Sequence, residues 1–267
     1  MKGLMLVTLL TGLAIAALPF TAFAFRTADG QELDKAWKRY LSEEASREPV
    51  MRFPHEECFK EAAQTYNLPV SLLLAVARGE SDFNAKAKSD RDCYGLMQIR
   101  WPITANHLGI TKLEDLFDPC TNVLAGAGYL RELSDRYGGN LHLVLAAYNY
   151  GPGRIPRNVS PDAIPDGARW YSGYILHHLE YVMKGSKSVS AERPLYKPEN
   201  KLEIIVFNKP YRARGFYGYI QEKAPSLRLD WFRTGLGRFQ VVLFYKDSEE
   251  LKQGKAELKR LGFSVRP

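Results

Sequence analysis

The chain has 267 residues, enough for one large domain or two modest ones and enough to bury a real core. Hydrophobic residues make up 45% and charged residues 25%, which excludes a disordered chain. The 37 basic and 30 acidic residues leave a net charge of +7, which favours anionic partners.

The first residues bear on compartment. Lys2 precedes an apolar run from Leu4 through Leu18, and Ala22-Phe23-Ala24 places small residues where a signal peptidase cuts. Residues 1–24 are therefore expected to be a secretory signal cleaved after Ala24, with an uncleaved anchor as the alternative. Lys2 is the only charge in that segment, so the remainder holds 36 basic and 30 acidic residues, a net charge of +6. Export to the periplasm removes nucleic acid as a partner. It sets a basic protein among anionic envelope surfaces such as peptidoglycan carboxylates.

Residues 31–47 are charged and helix-friendly, and Pro49 ends them. A second helix is predicted over 56–66. Pro69 then sits at a first helical position, ahead of a segment that is apolar on every side (Val70, Leu72–Leu74, Ala75, Val76, Ala77) and should be buried. Gly79 is read as its end, with Glu80 immediately after. Further helices are predicted over 122–137, 141–148 and 168–183. Residues 25–184 thus read as one mainly helical domain. Residues 185–200, rich in Ser, Lys, Pro and Glu, read as a linker. Residues 201–267 alternate: strand 202–207, helix 211–223, strands 227–232 and 239–245, helix 248–261, and a closing strand over 263–265. The order βαββαβ predicts a small ferredoxin-like α+β domain.

Cys58, Cys93 and Cys120 allow one disulfide and leave one thiol over in an oxidising compartment. Sequence alone does not fix the pair. Cys93 with Cys120 is preferred, because both flank segments expected to meet near the site, and such a loop adds about 3–4 kcal/mol. No His is placed to activate a catalytic cysteine. His55, His107, His142, His177 and His178 lack metal-ligand spacing supported by nearby Cys or acids, so no metal site and no cofactor are expected.

A glutamate at the end of a buried helix lies beside apolar side chains and at the negative end of the helix dipole. Both conditions raise its pKa, and a carboxyl protonated near neutral pH suits general acid catalysis at a glycosidic oxygen. On position alone, Glu80 reads more readily as an exposed helix-end glutamate. Its surroundings add to the picture: Glu80-Ser81-Asp82, then Ser89, Tyr94-Gly95-Leu96-Met97-Gln98-Ile99, Asp118-Pro119, Asn122, Gly126, Tyr129-Leu130, and Ala147-Tyr148-Asn149-Tyr150-Gly151.

In order and spacing, residues 55–184 resemble the soluble-lytic-transglycosylase family. The resemblance implies a lysozyme-like helical fold. It also implies cleavage of the β-1,4 bond between N-acetylmuramic acid and N-acetylglucosamine in peptidoglycan glycan strands, leaving a 1,6-anhydro end. Glu80 then stands as the acid and subsequently the base. Ser89, Gln98, Tyr148, Asn149 and Tyr174 stand as substrate-binding or cleft residues, with Tyr174 pointing at the glutamate and Gly95 letting the backbone pass close to the sugar. The chain is expected to act as a monomer, with any envelope or secretion-machine partner left open. Leu96 and Met97 are read as core, Ser81 as a loop brace, and Asp82, Asp90 and Asp92 as loop or solvated residues. Three departures stand out: Arg100-Trp101-Pro102 replaces the usual Met-Pro, Cys93 precedes Tyr94-Gly95, and Trp170 stands about where an acidic residue is often found.

The aromatics of residues 201–267, among them Phe207, Trp231, Phe232, Phe239 and Phe244, allow two readings. One is a glycan-binding module similar to the SPOR peptidoglycan-binding domain; the other is a plain small core. For the whole chain the alternatives are a goose-lysozyme-type hydrolase of the same bond and a non-catalytic wall-binding or secretion accessory protein.

Overall fold

The computed structural model describes residues 29–49, 51–184, 200–235, 237–263 and 265. The expected export segment and nearly all of the expected linker lie outside these residues. The helical part comprises α1 (Gly30–Glu43), α2 (Glu56–Tyr66), α3 (Val70–Ser81), α4 (Ile103–His107), α5 (Pro119–Arg136), α6 (Leu141–Tyr150) and α7 (Asp166–Met183). A two-stranded hairpin, β1 (Cys93–Tyr94) with β2 (Ile99–Arg100), lies between α3 and α4.

Local sequence explains the boundaries. Asp29 accepts the Gln31 N–H at the start of α1, Asp118 accepts the Thr121 N–H ahead of Pro119 in α5, and Asn140 accepts the Leu143 N–H in α6. Leu33, Trp37 and Tyr40 bury one stripe of α1. Trp37 Nε1 donates to Ser172 Oγ at 2.8 Å, and the Tyr40 and Ser71 hydroxyls lie 2.7 Å apart, so this stripe is fastened to α7 and α3. Helix α3 is buried from Ser71 through Gly79 and packs along α7, which in turn packs on α6. Gly79 does not end α3, which runs through Glu80 to Ser81 and stops where Asp82 and Phe83 adopt positive φ values of 48° and 61°. The glycine instead serves close helix packing. A Cβ there would sit 2.8 Å from Ile175 Cδ1 and 2.9 Å from His178 Cδ2, both on α7.

Cysteine pairing differs from expectation. Cys58 on α2 is bonded to Cys120 on α5, with Cα atoms 4.8 Å apart, and Cys93 is the free thiol. Helices α2 and α5 lie side by side, which brings the first turn of each together, whereas Cys93 sits on the hairpin.

The C-terminal part runs β3 (Asn200–Phe207), α8 (Pro210–Lys223), β4 (Leu229–Gly235), β5 (Arg238–Tyr245) and α9 (Ser248–Arg260). Its sheet has the order β3-β5-β4, antiparallel throughout, with Trp231 opposite Val241 and Leu202 opposite Leu243. This is the β-α-β-β-α portion of the expected order. The closing strand is not formed at Phe263 or Val265, and Ser264 lies outside the described residues.

Leu229 and Leu243 pack with Ile220, Leu227 and Leu258 from beneath α8 and α9. Trp231, Phe239 and Val241 belong to the same continuous hydrophobic cluster as the helical part. Trp231, Phe232, Phe239 and Phe244 are all buried in core and interface, whereas Tyr211 and Tyr219 of α8 are exposed. Among the described residues no helix is long and apolar enough to cross a membrane.

Candidate active site

Glu80 occupies the last turn of α3, half-buried. Because Gly79 lets α7 come close, the hydroxyls of two α7 tyrosines reach this turn. Tyr171 donates to Glu80 Oε1 at 2.5 Å, and Tyr174 donates to the Gly79 carbonyl at 2.7 Å. The tyrosine on the carboxyl is therefore Tyr171, not Tyr174 as expected. The two are three residues apart on one face of the helix, and the earlier one faces the final turn of α3. Burial raises the Glu80 pKa, opposed by the positive charge of Arg233 and by the Tyr171 hydrogen bond. Burial first, and then the Glu80 charge, hold the Tyr148 and Tyr171 phenols well above their ordinary range. They therefore remain donors across the working pH range.

The loop after α3 is braced from below. Ser81 Oγ donates to the Leu96 carbonyl at 2.9 Å, and Leu96 and Met97 are fully buried, both as expected. Asn122, buried on α5, accepts the Met97 N–H at 2.7 Å and donates to the carbonyls of Tyr94 and Leu116 at 2.9 and 2.8 Å. All three polar atoms of a loop-to-helix junction are thus met by one side chain. Gly95, at φ +75°, is needed for this junction, because a Cβ there would strike Asn122 and the Leu116 carbonyl.

Tyr148 donates to the Met97 carbonyl at 2.8 Å, tying α6 to the same loop, and Asn149 is half-buried in the last turn of α6. Gln98, at φ +52°, donates from Nε2 to the Gly95 carbonyl at 3.0 Å. Ser89 Oγ accepts the Cys93 N–H at 3.1 Å and the Arg91 N–H at 3.3 Å. Glu80, Tyr148 and Tyr171 therefore converge, while Ser89 and Gln98 shape the adjoining loop.

A second polar cluster lies one turn below Glu80. Arg78 and Asp230 form a buried ion pair at 2.5 Å, and His177 Nε2 lies 2.7 Å from Asp230 Oδ1. Arg78 Nη1 stands 2.5 Å from His178 Nδ1, and a guanidinium can only donate, so His178 accepts there. Burial, then the Arg78 charge, push the His178 pKa well below its usual value, and the ring is neutral. Ligating atoms of His177, His178 and Asp230 lie within 4.8 Å of one another, a grouping that sequence spacing did not reveal. His178 and Asp230 are bonded to the Arg78 guanidinium and His177 to Asp230, and the guanidinium charge opposes a metal ion.

Residues 57–169 match the family model "Transglycosylase SLT domain". A putative soluble lytic murein transglycosylase of Haemophilus influenzae is 36% identical over 140 residues, covering 49% of this chain and 22% of that protein. The soluble lytic murein transglycosylase of Escherichia coli K12 is 39% identical over 113 residues, covering 39% of this chain and 17% of that protein. The chain therefore spans only about a fifth of the length of these relatives. The crystal structure of the 70-kDa soluble lytic transglycosylase from Escherichia coli matches 62% of this chain and 31% of its own at 28% identity, with a TM-score of 0.44. Half-buried Glu80, the Asn122 junction and the Tyr148–Met97 brace all lie within residues 57–169, the segment that matches the SLT-domain model and is similar to the soluble lytic murein transglycosylases.

Proposed function

We propose that the chain cleaves the β-1,4 bond between N-acetylmuramic acid and N-acetylglucosamine in peptidoglycan and leaves a 1,6-anhydro-muramic end. The observation that carries this reading is the state of Glu80. Burial raises the pKa of this carboxyl, which favours the protonated form that a general acid needs, and the Tyr171 hydroxyl fixes its position. Glu80 gives that proton to the leaving glycosidic oxygen as the C1–O bond breaks. It then takes the proton of the C6 hydroxyl as O6 bonds to C1, which returns the carboxyl to its starting state. The substrate's own N-acetyl group steadies the cationic centre, so one carboxyl suffices, a departure from the two-carboxylate scheme. Asp82 pairs with Lys201 of β3, and in this reading it serves that contact and not the reaction.

Tyr148, Asn149, Gln98 and Ser89 are proposed to line the glycan cleft, with Tyr171 and Tyr174 ordering the turn that bears the acid. Peptidoglycan strands are the substrate in this reading, and the cell wall is the place of action. The test is mass spectrometry of the products released from purified sacculi. Anhydro-ended muropeptides from the unaltered chain, and none from E80Q, are expected. Reducing ends would instead identify a hydrolase, and activity of E80Q near that of the unaltered chain would refute the assignment of the acid.

A further inference from the structure

The residues on either side of Glu80 are held by the C-terminal part of the chain. Arg78, two positions before it, pairs with Asp230 of β4, and Asp82, two positions after it, pairs with Lys201 of β3. The backbone N–H of Arg233 donates to Tyr174 Oη at 3.1 Å, and the same hydroxyl donates to the Gly79 carbonyl. One phenol therefore joins the backbone of β4 to the peptide carbonyl just before Glu80. At the far end of β4, Gly235 approaches the Asp90 carboxylate, next to Ser89, with its Cβ direction 3.2 Å from Oδ2. The β4–β5 hairpin thus borders both the catalytic turn and the adjoining loop.

Its attachment is firm. Trp231 packs on Tyr174 with ring centroids 5.1 Å apart, and Phe239 meets Trp170 edge-on at 5.0 Å. The half-buried Arg233, whose backbone N–H holds Tyr174, adds a positive charge that favours the ionised form of Glu80.

We infer that the C-terminal unit is part of the catalytic site itself: its β4–β5 hairpin is a fixed wall of the cleft, and Arg233 is a positioning residue that acts on the Glu80 carboxyl. The inference rests on the reading of Glu80 as the acid. Tyr171 of α7 bonds this carboxyl, and the other groups that interact with it electrostatically are Tyr174 of α7, Tyr148 of α6, Cys93 of β1 and Arg233 of β4. The three phenols and the thiol are all held above their ordinary values, chiefly by burial, and stay neutral through the acidic and neutral range. Arg233 is then the one charged group among them, and it favours the carboxylate. A carboxyl governed by burial alone would be slow to give up its proton; the guanidinium moderates that.

The experiment is a carbon-13 titration of the Glu80 carboxyl in the full chain, assigned by comparison with E80Q. In R233Q, which keeps the backbone donor to Tyr174, the midpoint is expected to move to higher pH. The alkaline limb of kcat/KM for muropeptide release is expected to move with it. R233K retains the charge and serves as the folding control, with a midpoint expected near that of the unaltered chain. An unmoved midpoint in folded R233Q, or an equal shift in R233K, overturns the inference. Failure of the unaltered chain to cleave glycan would instead defeat the reading of Glu80 as the acid, while the titration still reports on Arg233.

Discussion

Asp230 offers the sharpest test of how the two parts of the chain are held together. Its side chain is 5% exposed and that of Arg78 is 1% exposed, so both charges have left water. Burial by itself would raise the Asp230 pKa, but Arg78 and then His177 outweigh it and hold the carboxyl far below the usual carboxylate range. Removing one member of such a pair leaves an uncompensated charge and costs about 3–5 kcal/mol. Asp230→Asn keeps the oxygen that accepts from His177 and from the Trp231 N–H, so the lower end, about 3 kcal/mol, is expected. For a chain of this size that lowers Tm by roughly 6–12 °C.

The pH dependence follows from the depressed pKa. The stability contributed by Asp230 is whole above its unfolded value of about 3.9 and is lost as pH falls toward the folded value. The gap between the unaltered chain and the variant should therefore be flat from about pH 5 to pH 8 and narrow below about pH 4. Added salt should leave it nearly unchanged, because the pair is buried. Replacing both partners with apolar residues, as in R78M with D230L, should recover most of the loss. Thermal unfolding followed by circular dichroism supplies all of these numbers. A loss under about 1 kcal/mol for D230N, or a double variant no more stable than the single one, would refute the argument.

Other consequences are open to direct measurement. Y171F removes the hydrogen bond that favours the Glu80 carboxylate, so the carboxyl should titrate at higher pH and kcat should fall about 10- to 100-fold; an unchanged pH profile would count against the contact. G79A drives a methyl into Ile175 and His178 and should cost about 1–3 kcal/mol while displacing Tyr171 from Glu80, seen as a joint loss of Tm and activity. The bond between Cys58 and Cys120, 62 positions apart, restricts the unfolded chain by about 4 kcal/mol, so reductant should lower Tm in the unaltered chain but not in a C58S/C120S variant. Equal responses to reductant in both would show that the bond does not hold the fold.

The helical part was readable because its signals are local. The run from Val70 to Ala77 is apolar all round, as a helix enclosed by others must be, and Pro69 marks its start. The start of α5 was also written in the sequence, in Asp118-Pro119, although the apolar spacing suggested a later beginning at Asn122. What escaped depends on distance in space. Gly79 looks like a stop signal by composition, and only the approach of α7 reveals it as a contact point.

Tyr171 and Tyr174 lie on the same stripe of α7, and sequence alone does not choose between them. The partner of Cys120 required knowing that α2 lies beside α5. Arg233 could not have been found from any motif, because its relation to Glu80 exists only once a strand from the other end of the chain is laid across α7. The aromatic content of residues 201–267 was plain, but whether those rings face solvent or each other is settled by packing.

The seam between the two parts has one further implication. Buried charge, stacked rings and a shared phenol join them, between residues that lie on either side of the stretch from Lys184 to Asn200 in sequence. A protease that severed that stretch would produce two fragments on a denaturing gel. Under native conditions they should still travel as a single particle, because these contacts all lie outside the cut.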